Sequence, residues 1–138
     1  MIRRAEPRDM PAVLDIRARV FIEEQGVDET DERDGRDDDA IHLVALKDGV
    51  PVGTARLLVD GDTGRIGRVA VLVDKRGCGL GKDIMRAALD ELRREGVARA
   101  SLGSQVHAIG FYEALGFEVI GPEYFDAGIP HREMVLSL

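Results

Sequence analysis

Apolar positions along the chain follow two different periods. Met10, Val13, Leu14, Val20 and Phe21 recur at helical spacing behind Asp9, a residue type suited to capping, and predict a first helix that ends near Gly26. Ile2 to Ala5 forms a short strand ahead of it. Ile41 to Leu46 and Val52 to Val59 are rich in β-branched and aliphatic residues and flank Asp48-Gly49, a dipeptide favoured in tight hairpins, so they predict adjacent antiparallel strands. Gly61 and Gly64 then punctuate a turn into a third strand, Arg65 to Val73. Met85, Ala88, Leu89 and Leu92 fall at i, i+3, i+4 and i+7, which marks one buried stripe of a helix closing at Gly96. Beyond it the pattern predicts a short strand over Arg99 to Leu102 and a short helix over Ala108 to Leu115 stopped by Gly116. Extended segments over Phe117 to Ile120 and Glu133 to Leu138 complete it. Antiparallel hairpins followed by a strand, helix, strand unit imply an α/β chain with helices packed on a mixed sheet.

Residues 28 to 39 break the periodicity. They hold 8 of the 26 acids and 2 of the 19 bases, leaving 18 acids against 17 bases elsewhere, so most of the net charge of −7 sits in one segment. Such a run reads as a loop or a poorly ordered helical turn, solvated or else lining the mouth of a site for a cationic amine. The negative balance argues against a general nucleic-acid binder. With 138 residues, 44% of them apolar, the length suits one domain over residues 1 to 138. The first apolar run is broken by Glu6, Arg8 and Asp9, and no stretch approaches the ~20 apolar residues of a membrane span. The single cysteine, Cys78, fits a reducing compartment, and cytoplasm is the expected location. A homodimer is left open by the sequence.

Arg76-Gly77-Cys78-Gly79-Leu80-Gly81-Lys82 lies between a strand and the most periodic helix. The first turn of a helix has unpaired N–H donors and a positive dipole end, and glycines let an anion approach the backbone, so the junction suits a pyrophosphate. Arg76 and Lys82 add positive charge. Asp83 after Lys82 excludes a Walker loop, and Lys82 stands where a dinucleotide fingerprint requires glycine. By itself the segment is equally compatible with a tight turn that binds nothing.

Arg76-x-x-Gly79-x-Gly81 after Val69-Ala70-Val71, together with Phe111-Tyr112-Glu113-Ala114-Leu115-Gly116-Phe117, resembles the GNAT superfamily of N-acetyltransferases. Phe21 to Gln25, His42, Gln105 to His107 and Gly128 to His131 look like its ElaA-type branch. The resemblance implies a mostly antiparallel central sheet of about six to seven strands, and acetyl-CoA as co-substrate with no metal. It implies that Val69, Ala70 and Val71 offer backbone groups to the pantetheine arm, that Gly77, Cys78, Gly79, Leu80, Gly81 and Lys82 hold the pyrophosphate, and that Gln105 contacts the coenzyme. Tyr112 would protonate the departing thiolate, although a buried tyrosine is also an ordinary core residue.

Attack by an amine requires removal of a proton from its ammonium form. Many relatives use a strand glutamate, but the matching strand here offers Arg65 and Arg68, and the next, Ala100 to Gly103, offers no acid. His42 and His131 are candidate bases, with His107 and Glu24 as further options, while three histidines without acidic partners make no metal site. Cys78 reads as a space-filling turn residue. The expected activity is direct acetyl transfer to the amine of a small molecule or a protein; the other reading is a non-catalytic coenzyme A-binding module.

Overall fold

Consecutive apolar runs pair as antiparallel neighbours in the computed structural model, which describes residues 1–138. β1 (Ile2–Arg4) pairs with β2 (Ile41–Lys47), and β2 with β3 (Val50–Asp60) through a turn in which Asp48 and Gly49 both take positive φ. β4 (Thr63–Val71) returns beside β3, and β5 (Arg99–Gln105) joins β4 as the one parallel neighbour. β6 (Glu118–Asp126) and β7 (Ile129–Ser137) form a last hairpin, giving the order β1-β2-β3-β4-β5-β7-β6. The expected mixed, mostly antiparallel sheet is present with seven strands.

Alternation decides what each face buries. In β3, Ala55 and Leu57 join a core with Ile84, Met85, Ala88, Leu89 and Leu92 of α3 (Leu80–Arg94), while Arg56 faces the other way. All five α3 residues are buried, each larger one contributing roughly 1.5–3 kcal/mol by leaving water. On the opposite face, Ile16 of α1 (Met10–Arg17) and the following Val20 pack with Ala70. No helix is long and apolar enough to cross a membrane.

Several boundaries differ from expectation. The first helix leaves α geometry after Arg17, winds as a π-helix over Ala18–Glu24, and stops at Gly26 with φ of 74°. Asp9 does not cap it; its carboxylate accepts from the Glu6 N–H and from Arg3, and those bonds hold its pKa down at about 2. Gly64 lies inside β4 rather than in the turn, and it leaves room for Leu92, whose Cδ2 would stand 2.3 Å from a Cβ there. β4 ends at Val71, and Val73–Lys75 is a 3-10 turn. β5 continues to Gln105, and α4 (Ile109–Glu113) is shorter than its pattern suggested. Gly121 and Pro122 do not end β6, because a register shift between Ile120 and Tyr124 takes up both residues. β7 consequently begins at Ile129, not Glu133.

The Gly64–Leu92 contact predicts a coupled pair. Gly64→Ala should destabilise by about 1–3 kcal/mol through overpacking. In a urea-denaturation double-mutant cycle, combining it with Leu92→Ala should cost less than the two single changes summed.

Candidate active site

The glycine turn closes onto α3 with Gly79 at the N-cap position, φ of 84°, and Gly77 at 86°. The first backbone bond of the helix runs from Asp83 N–H to the Gly79 carbonyl, so the amides of Gly77 through Lys82 donate to no acceptor in the chain. Six consecutive free donors beside a helix dipole form an anion cradle. Leu80 is half-buried against the core, Cys78 is exposed with its thiol 3.2 Å from the Lys75 carbonyl, and Lys82 makes no ion pair. Arg76 behaves otherwise. Its guanidinium grips Glu24 at 2.6 and 2.8 Å and donates through Nε to the Val71 carbonyl. The hydrogen bonds from Arg76 also hold the Glu24 pKa below the usual carboxylate range, which makes Glu24 a poor base.

Beside the cradle the sheet opens. β4 and β5 pair only from Thr63 to Arg65 and from Arg99 to Ser101, after which β4 stays with β3 and β5 stays with β7. A bulge at the divergence, with Arg68 at φ of 51°, turns β4 away. The facing edges, Ile66 to Val71 and Leu102 to Gln105, share no ladder. Between them lies a cavity of about 520 Å³ whose walls include Val69, Gln105, Tyr112 and His131. Ala70 is buried and paired with Thr54, so of the expected strand residues only Val69 reaches the cavity.

The acidic segment is exposed along most of its length but anchored into the wall of this cavity through Glu32, Asp34 and Asp37. α2 (Glu29–Glu32) sinks Glu32 to 1% exposure against Arg17, itself 0% exposed. Arg17 Nε donates to Glu32 at 3.0 Å and its Nη1 to Asp37 at 2.7 Å. Arg56 donates to Asp34 and Asp37, and Arg68 to Glu32 at 2.8 Å. Hydrogen bonding from Arg56 depresses the Asp34 pKa far below normal; Asp37 is raised by burial, but Arg17 and Arg56 bring it below its ordinary value. Three guanidiniums thus neutralise Glu32, Asp34 and Asp37, the carboxylates of the segment turned towards the sheet.

His42 is not brought to the cavity. It is buried under the acidic segment with Nε2 at 2.9 Å from the Asp37 carbonyl, where it props that segment. His131 does line the cavity, paired in register with Gln105. Its Nδ1 lies 2.7 Å from the Ile129 carbonyl, and since a carbonyl only accepts, Nδ1 is the donor there, so in the neutral ring the lone pair is on Nε2. Gln105 donates to Gln25 at 2.9 Å and accepts from His107 Nε2 at 2.7 Å, which ties the end of helix one to the rim of β5. Tyr112 packs edge-on against Phe111 and Phe117, its hydroxyl bonds to nothing in the chain, and burial raises the phenol pKa. A phenol kept protonated and an imidazole nitrogen in one cleft, with an anion cradle at the start of α3, suit acid–base chemistry on an anionic substrate. Sequence patterns do not assign the roles of Gln25, Tyr124 and the Arg65–Glu133 pair, although Tyr124 is one of only two tyrosines in the chain and so a usable signal.

Residues 11–138 match the acetyltransferase (GNAT) domain family. The chain belongs to it. GNAT enzymes transfer acyl groups from acyl-CoA, so an acceptor substrate is also implied. A Bacillus subtilis protein named as an acetyltransferase is 40% identical over 127 residues, which is 90% of this chain and 86% of the relative. An acyl-CoA N-acyltransferase from Pseudomonas aeruginosa superposes with a TM-score of 0.86 at 30% identity, covering 98% of this chain and 97% of that one. Escherichia coli ElaA superposes at 0.85, also 30% identical, over 98% and 99% of the two chains, in keeping with the ElaA-type resemblance.

Two consequences follow for this GNAT acetyltransferase. Glu32→Gln should cost about 3–5 kcal/mol in denaturant unfolding, because it leaves Arg17 buried without its carboxylate. Asp34 and Asp37 have folded pKa values below their unfolded ones, so their stabilisation is complete above the unfolded aspartate value of ~3.9 and is lost as pH falls further. Asp34→Asn should flatten the decline in melting temperature below about pH 4.

Proposed function

We propose that residues 1–138 act as one N-acetyltransferase domain that moves an acetyl group from acetyl-CoA directly to a primary amine, on a small molecule or a protein. The single observation that carries this reading is the pairing of two features, the row of free amides from Gly77 to Lys82 at the start of α3 and the cavity between the diverged strands lined by Tyr112 and His131. The amides and the free Lys82 ammonium would hold the pyrophosphate, and the open edges of β4 and β5 would take the pantetheine arm as an added strand. Val69 and Gln105 flank that position.

His131 Nε2 takes a proton from the acceptor ammonium, and the freed amine attacks the thioester carbonyl carbon. A C–N bond forms and the C–S bond breaks. Tyr112 gives its hydroxyl proton to the leaving thiolate, and its phenolate recovers a proton from the nitrogen that has become an amide. The remaining proton leaves from His131 to water, so the products are the acetylated amine, coenzyme A thiol and one proton. Holding both substrates in one cleft supplies orientation, and the free donors supply a preorganised electrostatic environment.

Tyr112→Phe should lower kcat by about 10²–10⁴ in a thiol-release assay while calorimetry finds acetyl-CoA affinity unchanged. Failure of acetyl-CoA to bind or to raise the melting temperature at millimolar concentration would sink the reading.

A further inference from the structure

His131 belongs to a row of three registered residues on neighbouring strands, Gln105 of β5, His131 of β7 and Tyr124 of β6. The Tyr124 ring lies over the imidazole with centroids 5.8 Å apart and planes inclined by 27°. It reaches beyond it. An added Cβ at Gly103, on β5, would meet the Tyr124 hydroxyl oxygen at 2.2 Å and Arg65 Nη2 at 3.3 Å, so the phenol spans β7 and ends in a slot that only glycine leaves open. Arg65 closes that slot, fixed in turn by Glu133 at 2.7 and 3.1 Å. The bulge between Ile120 and Tyr124 sets the register that puts the tyrosine opposite the histidine.

We infer that Tyr124 is a positioning residue for His131: stacked on its ring and anchored over Gly103, it keeps Nδ1–H on the Ile129 carbonyl and Nε2 available in the cavity. This rests on the assignment of His131 as proton acceptor. An imidazole bonded through one nitrogen can rotate about its Cβ–Cγ bond, and the Ile129 carbonyl alone does not define the plane of the ring. Offset stacking against an anchored aromatic ring removes that freedom. The other titratable and charged groups sharing the surroundings are Glu133 on the same strand, Arg65 on β4, and His107 and Asp126 at the cavity rim. Gly103 keeps its Cβ-less slot at a position without positive φ, so the backbone accepts alanine there and the substitution acts chiefly on Tyr124, with Arg65 Nη2 the next atom at 3.3 Å.

The test uses nitrogen-detected NMR of the His131 ring in the ligand-free protein, together with turnover. Wild type should show one tautomer, protonated at Nδ1. Tyr124→Leu, and from the opposite strand Gly103→Ala, should give mixed tautomers; Tyr124→Leu should also shift the acidic limb of the pH profile and lower kcat by on the order of tenfold to a hundredfold with acetyl-CoA affinity retained. Tyr124→Phe should restore the single tautomer. Unchanged His131 signals in both Tyr124→Leu and Gly103→Ala overturn the inference, and Gly103→Ala still decides the matter if Tyr124→Leu fails to fold. If the signals change while His131→Gln turns over normally, the stacking contact survives, the base assignment falls, and the positioning role in the reaction falls with it.

Discussion

Two parallel strands that stop pairing after three residues create every other feature of the cleft. β4 and β5 hold together only to Arg65 and Ser101, and beyond that point each keeps its hydrogen bonds on its outer side. The inner edges therefore present unspent donors and acceptors to the cavity, a costly arrangement in a closed interior and a useful one where an extended ligand lies between. The same divergence needs a bend, supplied by the bulge at which Arg68 takes a positive φ, a conformation costing roughly 1–2 kcal/mol for a residue with a side chain. Arg68 is held in that conformation by its bonds to Glu32 and to the Asp31 and Glu32 carbonyls.

Viewed this way, the acidic segment is a structural counterpart to the bend. It covers the face that α3 does not occupy, and it brings carboxylates to guanidiniums that alternation in β3 and the bulge in β4 have pointed there. Burying Arg17 with Glu32 gains little net energy compared with an apolar pair, since desolvation consumes most of the attraction. What it contributes is specificity of arrangement, because leaving either charge alone is far worse than leaving both. A wall made in this manner is nearly neutral towards whatever enters the cavity.

The sequence revealed what is encoded locally. The α3 stripe, the Asp48-Gly49 hairpin and the glycine turn are each written in fewer than a dozen consecutive residues, and all were legible. The partners of the acidic segment were not, since Arg17, Arg56 and Arg68 stand 15, 22 and 36 residues from the carboxylates they bind. No local period records such pairing. For the same reason Arg76 was read as free charge, because Glu24 lies 52 residues away. Among the histidines, residue type marked candidates, but only the parity of β2 against β7 separates His42 beneath a segment from His131 in the cleft. Tyr124 was hidden by Gly121 and Pro122, whose usual meaning as breakers is overridden by a bulge that absorbs them.

The short parallel ladder also divides the sheet mechanically. β1 to β4 form one plate of consecutive strands, β5, β7 and β6 form another, and three rungs of backbone pairing join them. Their apposition is otherwise kept by side chains, those of α3 and Phe117 in the core together with the Arg65–Glu133 pair and the Gln105–Gln25 bond across the seam. Beyond the Arg65–Ser101 end the width of the gap is therefore set by side chains and not by a backbone ladder.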